Sequence, residues 1–139
     1  MKWLVILLLL LSIAPNTLGE DIVVVVNQSN DTPSLSKSQV IDIFLGRYVA
    51  FPDGEPAKPV DIAEEALKAD FYQRLTNLNI ARINAYWSRI KFTGKARKPE
   101  EMESESEAIK YLETNTQAIG YIKATSLTDD LKVIYVINE

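Results

Sequence analysis

Behind the single charge of Lys2, the chain begins with an apolar run from Trp3 to Leu11 that continues through Ser12 to Ala14 and breaks at Pro15-Asn16. The next apolar block, Asp21-Ile22-Val23-Val24-Val25-Val26, is continuous and β-branched with no polar alternation. That pattern predicts a strand covered on both faces, as in parallel sheets flanked by helices. Asn27 to Pro33 has the composition of a turn or loop. A helix begins after Ser36, which forms a capping box with Gln39, while Leu35 and Val40 sit at the staple positions. Ile41, Phe44 and Leu45 form its apolar face, and Gly46 is placed to end it.

Phe51-Pro52-Asp53-Gly54 has β-turn chemistry, and Pro59-Val60-Asp61-Ile62 is a short strand. Leu67, Phe71, Leu75 and Leu78 recur at helical spacing from about Glu64, and Ile80, Ile83, Trp87 and Ile90 do so from about Asn79. The stretch from Lys91 to Pro99 breaks the pattern. Ser104 and Glu107 form a second capping box that opens a helix running to about Thr114. Ala118 to Ile122 and Leu131 to Ile137 read as the last two strands. The order β-α-β-α-α-α-β-β, without repeat or linker, predicts one α/β domain with a mixed, largely buried sheet. Tyr72, Tyr86 and Trp87 fit core or boundary positions better than a stacking platform.

The N-terminal run changes the compartment. A positive residue, an apolar core of about a dozen residues and small residues at Thr17 and Gly19 read as a secretory signal peptide over residues 1–19, leaving 20–139 as the domain. The run is shorter than the roughly 20 apolar residues of a membrane span. Its removal takes away one Lys and no acid, so residues 20–139 carry 14 basic and 19 acidic residues, a formal charge of −5. An acidic exported chain is poorly matched to nucleic acid or to anionic lipid. No membrane insertion is expected after cleavage.

Composition then removes much chemistry. The chain has no Cys and no His. Disulfides, thiol nucleophiles, thiolate metal centres and His-dependent triads are therefore excluded. No enzyme and no cofactor is expected. Asp61, Glu64, Glu65 and Asp70 lack the ligand spacing of a calcium loop, and carboxylates at a helix start are favourable anyway, so no metal is expected.

Several stretches together resemble a known family. Leu35-Ser36-Lys37-Ser38-Gln39-Val40-Ile41-Asp42-Ile43-Phe44-Leu45-Gly46 followed by Phe51-Pro52-Asp53-Gly54 is similar to the "LSxxQxxxIFxG" helix, aromatic and Asp of the periplasmic substrate-binding proteins of phosphate ABC transporters. Val23 to Asn27, Phe71, Trp87, Phe92-Thr93-Gly94 and Ala118-Ile119-Gly120-Tyr121 match in the same order, over nearly all of residues 21–139. The resemblance implies an α/β fold consisting of a single lobe of the type 2 periplasmic binding protein-like superfamily, since full-length members are about twice this size. It also implies an exported receptor for phosphate or a similar oxyanion, in the bacterial periplasm, partnered by an ABC transporter permease. The family's Arg and Ser-Gly-Thr phosphate loop, however, corresponds here to Val60 to Lys68, which has no Arg, Ser, Gly or Thr and carries three carboxylates. Glu64 and Glu65 would use the positive end of the helix themselves and repel phosphate.

Two other places are candidates for anion binding. Thr93, Gly94, Lys95 and Arg97, with Lys91 and Lys98 on either side, form the most positive stretch. It reads as a replacement anion site, as a docking surface for an acidic partner, or as a solvated loop. Ser29 and Asn30 follow the first strand, where α/β folds often bind ligands, but Asx turns have the same composition. Two functions stay open: an oxyanion receptor for an ABC transporter, and a ligand-free interaction module docking on a cell-envelope partner.

Overall fold

A computed structural model describes residues 21–91, 93–94 and 96–137; the signal peptide expected at 1–19 lies outside them, as does Lys95. Among the described residues, five strands and four α-helices follow one another as β1 (Ile22–Asn27), α1 (Lys37–Phe44), β2 (Lys58–Ile62), α2 (Glu65–Thr76), α3 (Ile80–Lys91), β3 (Glu100–Met102), α4 (Glu105–Thr114), β4 (Ala118–Lys123) and β5 (Leu131–Ile137). They form one sheet in the order β3-β2-β4-β1-β5. β2 is parallel to β3 and β4, whereas β1 is antiparallel to both β4 and β5. Four strands thus share one direction and β1 opposes them. The polar-free run of β1 does mark a strand buried along its whole length. Its neighbours run against it all the same, because burial on two faces does not set strand direction.

Adjacent residues of β4 show how the layers are built. Gly120 faces α4: a Cβ built on it would lie 2.9 Å from Leu112 Cδ1. Tyr121 faces the other way, stacked on Phe71 of α2 with centroids 3.7 Å apart and edge-on to Phe44 of α1 at 5.9 Å. Since successive strand residues alternate faces, α4 covers one face and α1 with α2 covers the other. α3 packs outside, against α2. The core runs through both layers, with Val24, Val25, Val26, Ile62, Leu112 and Ile119 fully buried. Burying each such side chain is worth about 1.5–3 kcal/mol relative to exposure.

The helix ends follow the chemistry of their residues. Ser36 Oγ accepts from Gln39 N at 3.1 Å and Gln39 Oε1 accepts from Ser36 N at 2.8 Å, completing the first box. Gly46 then takes φ +69°, against Ala96 and Trp87, where a Cβ would be both strained and crowded. The second box is only half made. Ser104 Oγ accepts from Glu107 N, but Glu107 Oε2 reaches Glu103 N rather than its cap. β3 has no counterpart in the expected element order: its three residues, Glu-Glu-Met, pair with Val60–Ile62 at the sheet edge.

Candidate functional site

In an open α/β sheet a ligand crevice forms outside the carboxyl ends of the strands, where the following helices leave to opposite faces. Here β2 leads into α2 on one face, and β3 leads into α4 on the other. The start of α2 and the start of α4 therefore frame the crevice, and acidic residues occupy it. Glu64 caps α2 without a side-chain bond to that helix. Its Oε1 instead accepts from the backbone N–H of Glu105, the first residue of α4, at 3.4 Å. Glu105 Oε2 accepts from Lys123 N at 2.8 Å, and its Oε1 accepts from the Ser126 hydroxyl at 2.6 Å. Backbone donors of the kind that hold oxyanions at helix starts and strand ends are thus spent on the chain's own carboxylates. The hollow beside them, about 210 Å³, is lined by Ile22, Glu64, Ala66, Leu67, Asp70 and Lys123, two acids against one cation.

Beneath the crevice lies a buried polar cluster. Asp61, in β2, is 1% exposed. Tyr72 Oη donates to its carboxylate with both oxygens at 2.9 Å, and Tyr121 Oη donates to Oδ1 at 2.9 Å. Ile62 N–H donates in turn to Tyr121 Oη at 3.2 Å. Burial pushes the Asp61 carboxyl above its usual range, against the lowering pull of Lys68 and the two phenols. Burial, with the Asp61 charge, holds both phenols well above the ordinary tyrosine range, so they stay protonated donors. Lys68 itself is taken up by Glu101, 2.8 Å away, whose carboxyl is lowered by that bond. The cluster's donors and acceptors answer one another, which makes it a structural joint between β2, β4 and α2.

Ser29 and Asn30 stand at the other end of the sheet. Because β1 runs against its neighbours, its carboxyl end meets the amino ends of the parallel strands. Asn27 Oδ1 accepts from Ser29 N, and Asn27 Nδ2 donates to the carbonyls of Leu112 and Glu113. Asn30 Oδ1 accepts from Thr32 N, its Nδ2 donates to Thr116 O, and its carbonyl accepts from Lys132 Nζ. The small hollow there, about 150 Å³, also holds Asp31, Asp53 and Glu55.

Thr93, Gly94 and Arg97 lie beyond α3. Thr93 closes that helix by donating from its N and its Oγ1 to Ile90 O, each at 2.8 Å, and Gly94 follows at φ +65°. Arg97 lines a groove of about 630 Å³ with Gly46, Val49, Lys58, Lys98 and Tyr111 among its walls. The hollow at Ser29 and Asn30 and the groove at Arg97 have no lining residue in common. A further open cavity of about 520 Å³ is lined by Asn84, Trp87, Ser88, Lys91, Ala96 and Lys98. Asn84 and Ser88 escape a reading of the sequence, since only their positions one and two turns before Lys91 on one helix face place them with it.

Neither a family model nor a curated protein matches the chain. Solved structures do. An ABC-type phosphate transport receptor from Vibrio cholerae superposes with a TM-score of 0.65 and 19% identity, covering 83% of this chain and 45% of that one. A protein assigned as a phosphate ABC transporter substrate-binding protein from Clostridium perfringens, with bound phosphate, gives 0.67 and 14%, covering 83% and 44%. A protein assigned as phosphate-binding from Planctomyces limnophilus gives 0.60 and 12%, covering 83% and 40%. The chain spans less than half the length of each of these three proteins. At such identities the likeness is one of fold: the described residues form a mixed five-stranded sheet flanked by helices, similar to part of the fold of these phosphate-binding protein structures.

Proposed function

We propose that the chain is an exported, non-enzymatic domain with a solute-binding-protein fold that docks on a protein of the bacterial cell envelope and does not take up free phosphate. The observation that carries this reading is the bridge across the crevice, Glu64 to the Glu105 amide and Glu105 to the Lys123 amide. A phosphate entering there would have to displace two carboxylates and face Asp70 as well. The pattern of residues 1–19 supports export. No helix among the described residues is long and apolar enough to cross a membrane.

The competing reading is a receptor for phosphate or a similar oxyanion, working with an ABC transporter permease and holding the anion through Thr93, Gly94, Lys95 and Arg97 or through Ser29 and Asn30. The bound phosphate in the Clostridium perfringens protein favours it. Calorimetric titration of phosphate into the purified protein, with sulfate as the control, separates the two. Docking predicts no saturable heat and an unchanged melting temperature in millimolar phosphate. Micromolar binding that Arg97→Ala weakens would establish the receptor and end the docking reading.

A further inference from the structure

Charge along the chain is segregated. From Phe71 to Pro99 there is no Asp or Glu, yet seven of the 15 basic residues fall there: Arg74, Arg82, Arg89, Lys91, Lys95, Arg97 and Lys98. Arg74 is held by Asp70. Arg82, Arg89, Lys91, Arg97 and Lys98 are exposed, and among the described residues none pairs with a carboxylate within 4.0 Å. Glu101, whose carboxyl feels Lys98, is already bonded to Lys68.

The fold turns this segment into a face. Ile83 and Trp87 of α3 are buried toward α2 and the loop beyond, leaving Arg82, Asn84, Ala85, Ser88, Arg89 and Lys91 outside. The 520 Å³ cavity opens between this face and the loop carrying Lys98. Trp87, one of its walls, is 7% exposed, and its Nε1–H is a buried donor without an acceptor among the described residues.

We propose that the outer face of α3, with Lys91, Lys98 and Trp87 around the cavity, is a docking surface for an acidic polypeptide segment, one carboxylate of which enters the cavity. This rests on the docking reading above and gives the partner its chemistry. Asn84, Ser88 and Lys91 recur at i, i+4 and i+7 on one side of α3, a stripe about 11 Å long that about three residues of extended chain would cover. That stripe, with Lys91 and Lys98 at the cavity and the exposed Arg82 and Arg89 on the flank beyond it, suits a segment carrying several carboxylates better than one small ion. A lipid surface fits less well, because the apolar side of α3 is spent on the core and none is left to enter a bilayer.

The test uses the purified protein and a blocked octaglutamate peptide, with octaglutamine as the uncharged control. The Trp87 indole N–H resonance, identified by its loss in Trp87→Phe, is followed alongside binding. Octaglutamate is expected to shift that resonance saturably and to bind more weakly as salt is raised to physiological strength. Lys91→Ala and Lys98→Ala, both at exposed positions, should each weaken binding about fivefold to tenfold. Octaglutamine and millimolar phosphate should leave the resonance in place.

No shift with octaglutamate, or affinity unchanged in both lysine variants, would overturn this surface while leaving the docking reading to its own phosphate titration. Saturable phosphate binding that the lysine variants weaken would overturn it in favour of a small-ion site. Binding to anionic vesicles but not to the peptide would overturn it in favour of a membrane.

Discussion

Asp61 is the residue on which the interior most depends. Its carboxylate is the shared acceptor of two phenols that otherwise have none. Asp61→Ala would leave both O–H groups unpaired in the core and is expected to cost about 2–4 kcal/mol in urea unfolding at neutral pH. Asp61→Asn keeps an acceptor and removes the buried charge, so its loss should be smaller, about 1 kcal/mol. The pH dependence has a definite sign. Burial raises the folded carboxyl above its ordinary value of 3.8. The fold therefore holds a proton over a window where the unfolded chain has released it, and this contribution is full below the ordinary value and lost as pH rises through the raised one. Stability of Asp61→Asn relative to the parent should improve from about pH 4 upward. A parallel pair of stability curves would show that Asp61 does not titrate as described. Gly120 is the other sensitive position. Gly120→Ala would push a methyl into buried Leu112 and should cost about 1–2 kcal/mol, with the helical circular dichroism retained.

At the scale of the element, α4 is held at its start by bonds from elsewhere in the fold. Glu105 ties its first turn to Lys123 and Ser126. Glu105→Ala should cost about 1–2 kcal/mol and raise amide exchange at Lys123 first. What the sequence made legible here was local. Ser36-Gln39, Gly46 and the spacing of Leu67, Phe71 and Leu75 each act within one or two turns, so helix starts and stops could be read within a residue or two. β3 could not be, because Glu-Glu-Met has no apolar alternation and is a strand only through its pairing with Val60–Ile62. The direction of β1 was equally hidden, since it is set by partners about a hundred residues away. The cluster around Asp61 left one sign, a lone acid inside Val60-Asp61-Ile62. Its partners, 11 and 60 residues on, are visible only in the folded chain.

Across the whole molecule, the fold and the chemistry of its crevice point different ways. The architecture is that of proteins solved as phosphate receptors. The place where α2 and α4 begin is acidic and internally bonded, whereas unpaired positive charge is concentrated on α3 and the loop after it. The acids at Val60 to Lys68 were readable from the sequence, and so was the positive stretch after Lys91. Their separation in space, with Glu64 reaching across to α4, was not. A residue-resolved amide spectrum of the purified protein, recorded with increasing phosphate, addresses this arrangement directly. The amides of residues 63–67, Glu105 and Lys123 are expected to stay where they are up to millimolar phosphate, because their surroundings are already filled by Glu64 and Glu105. Saturable movement of those amides would show that phosphate enters the crevice and that Glu64 and Glu105 do not close it.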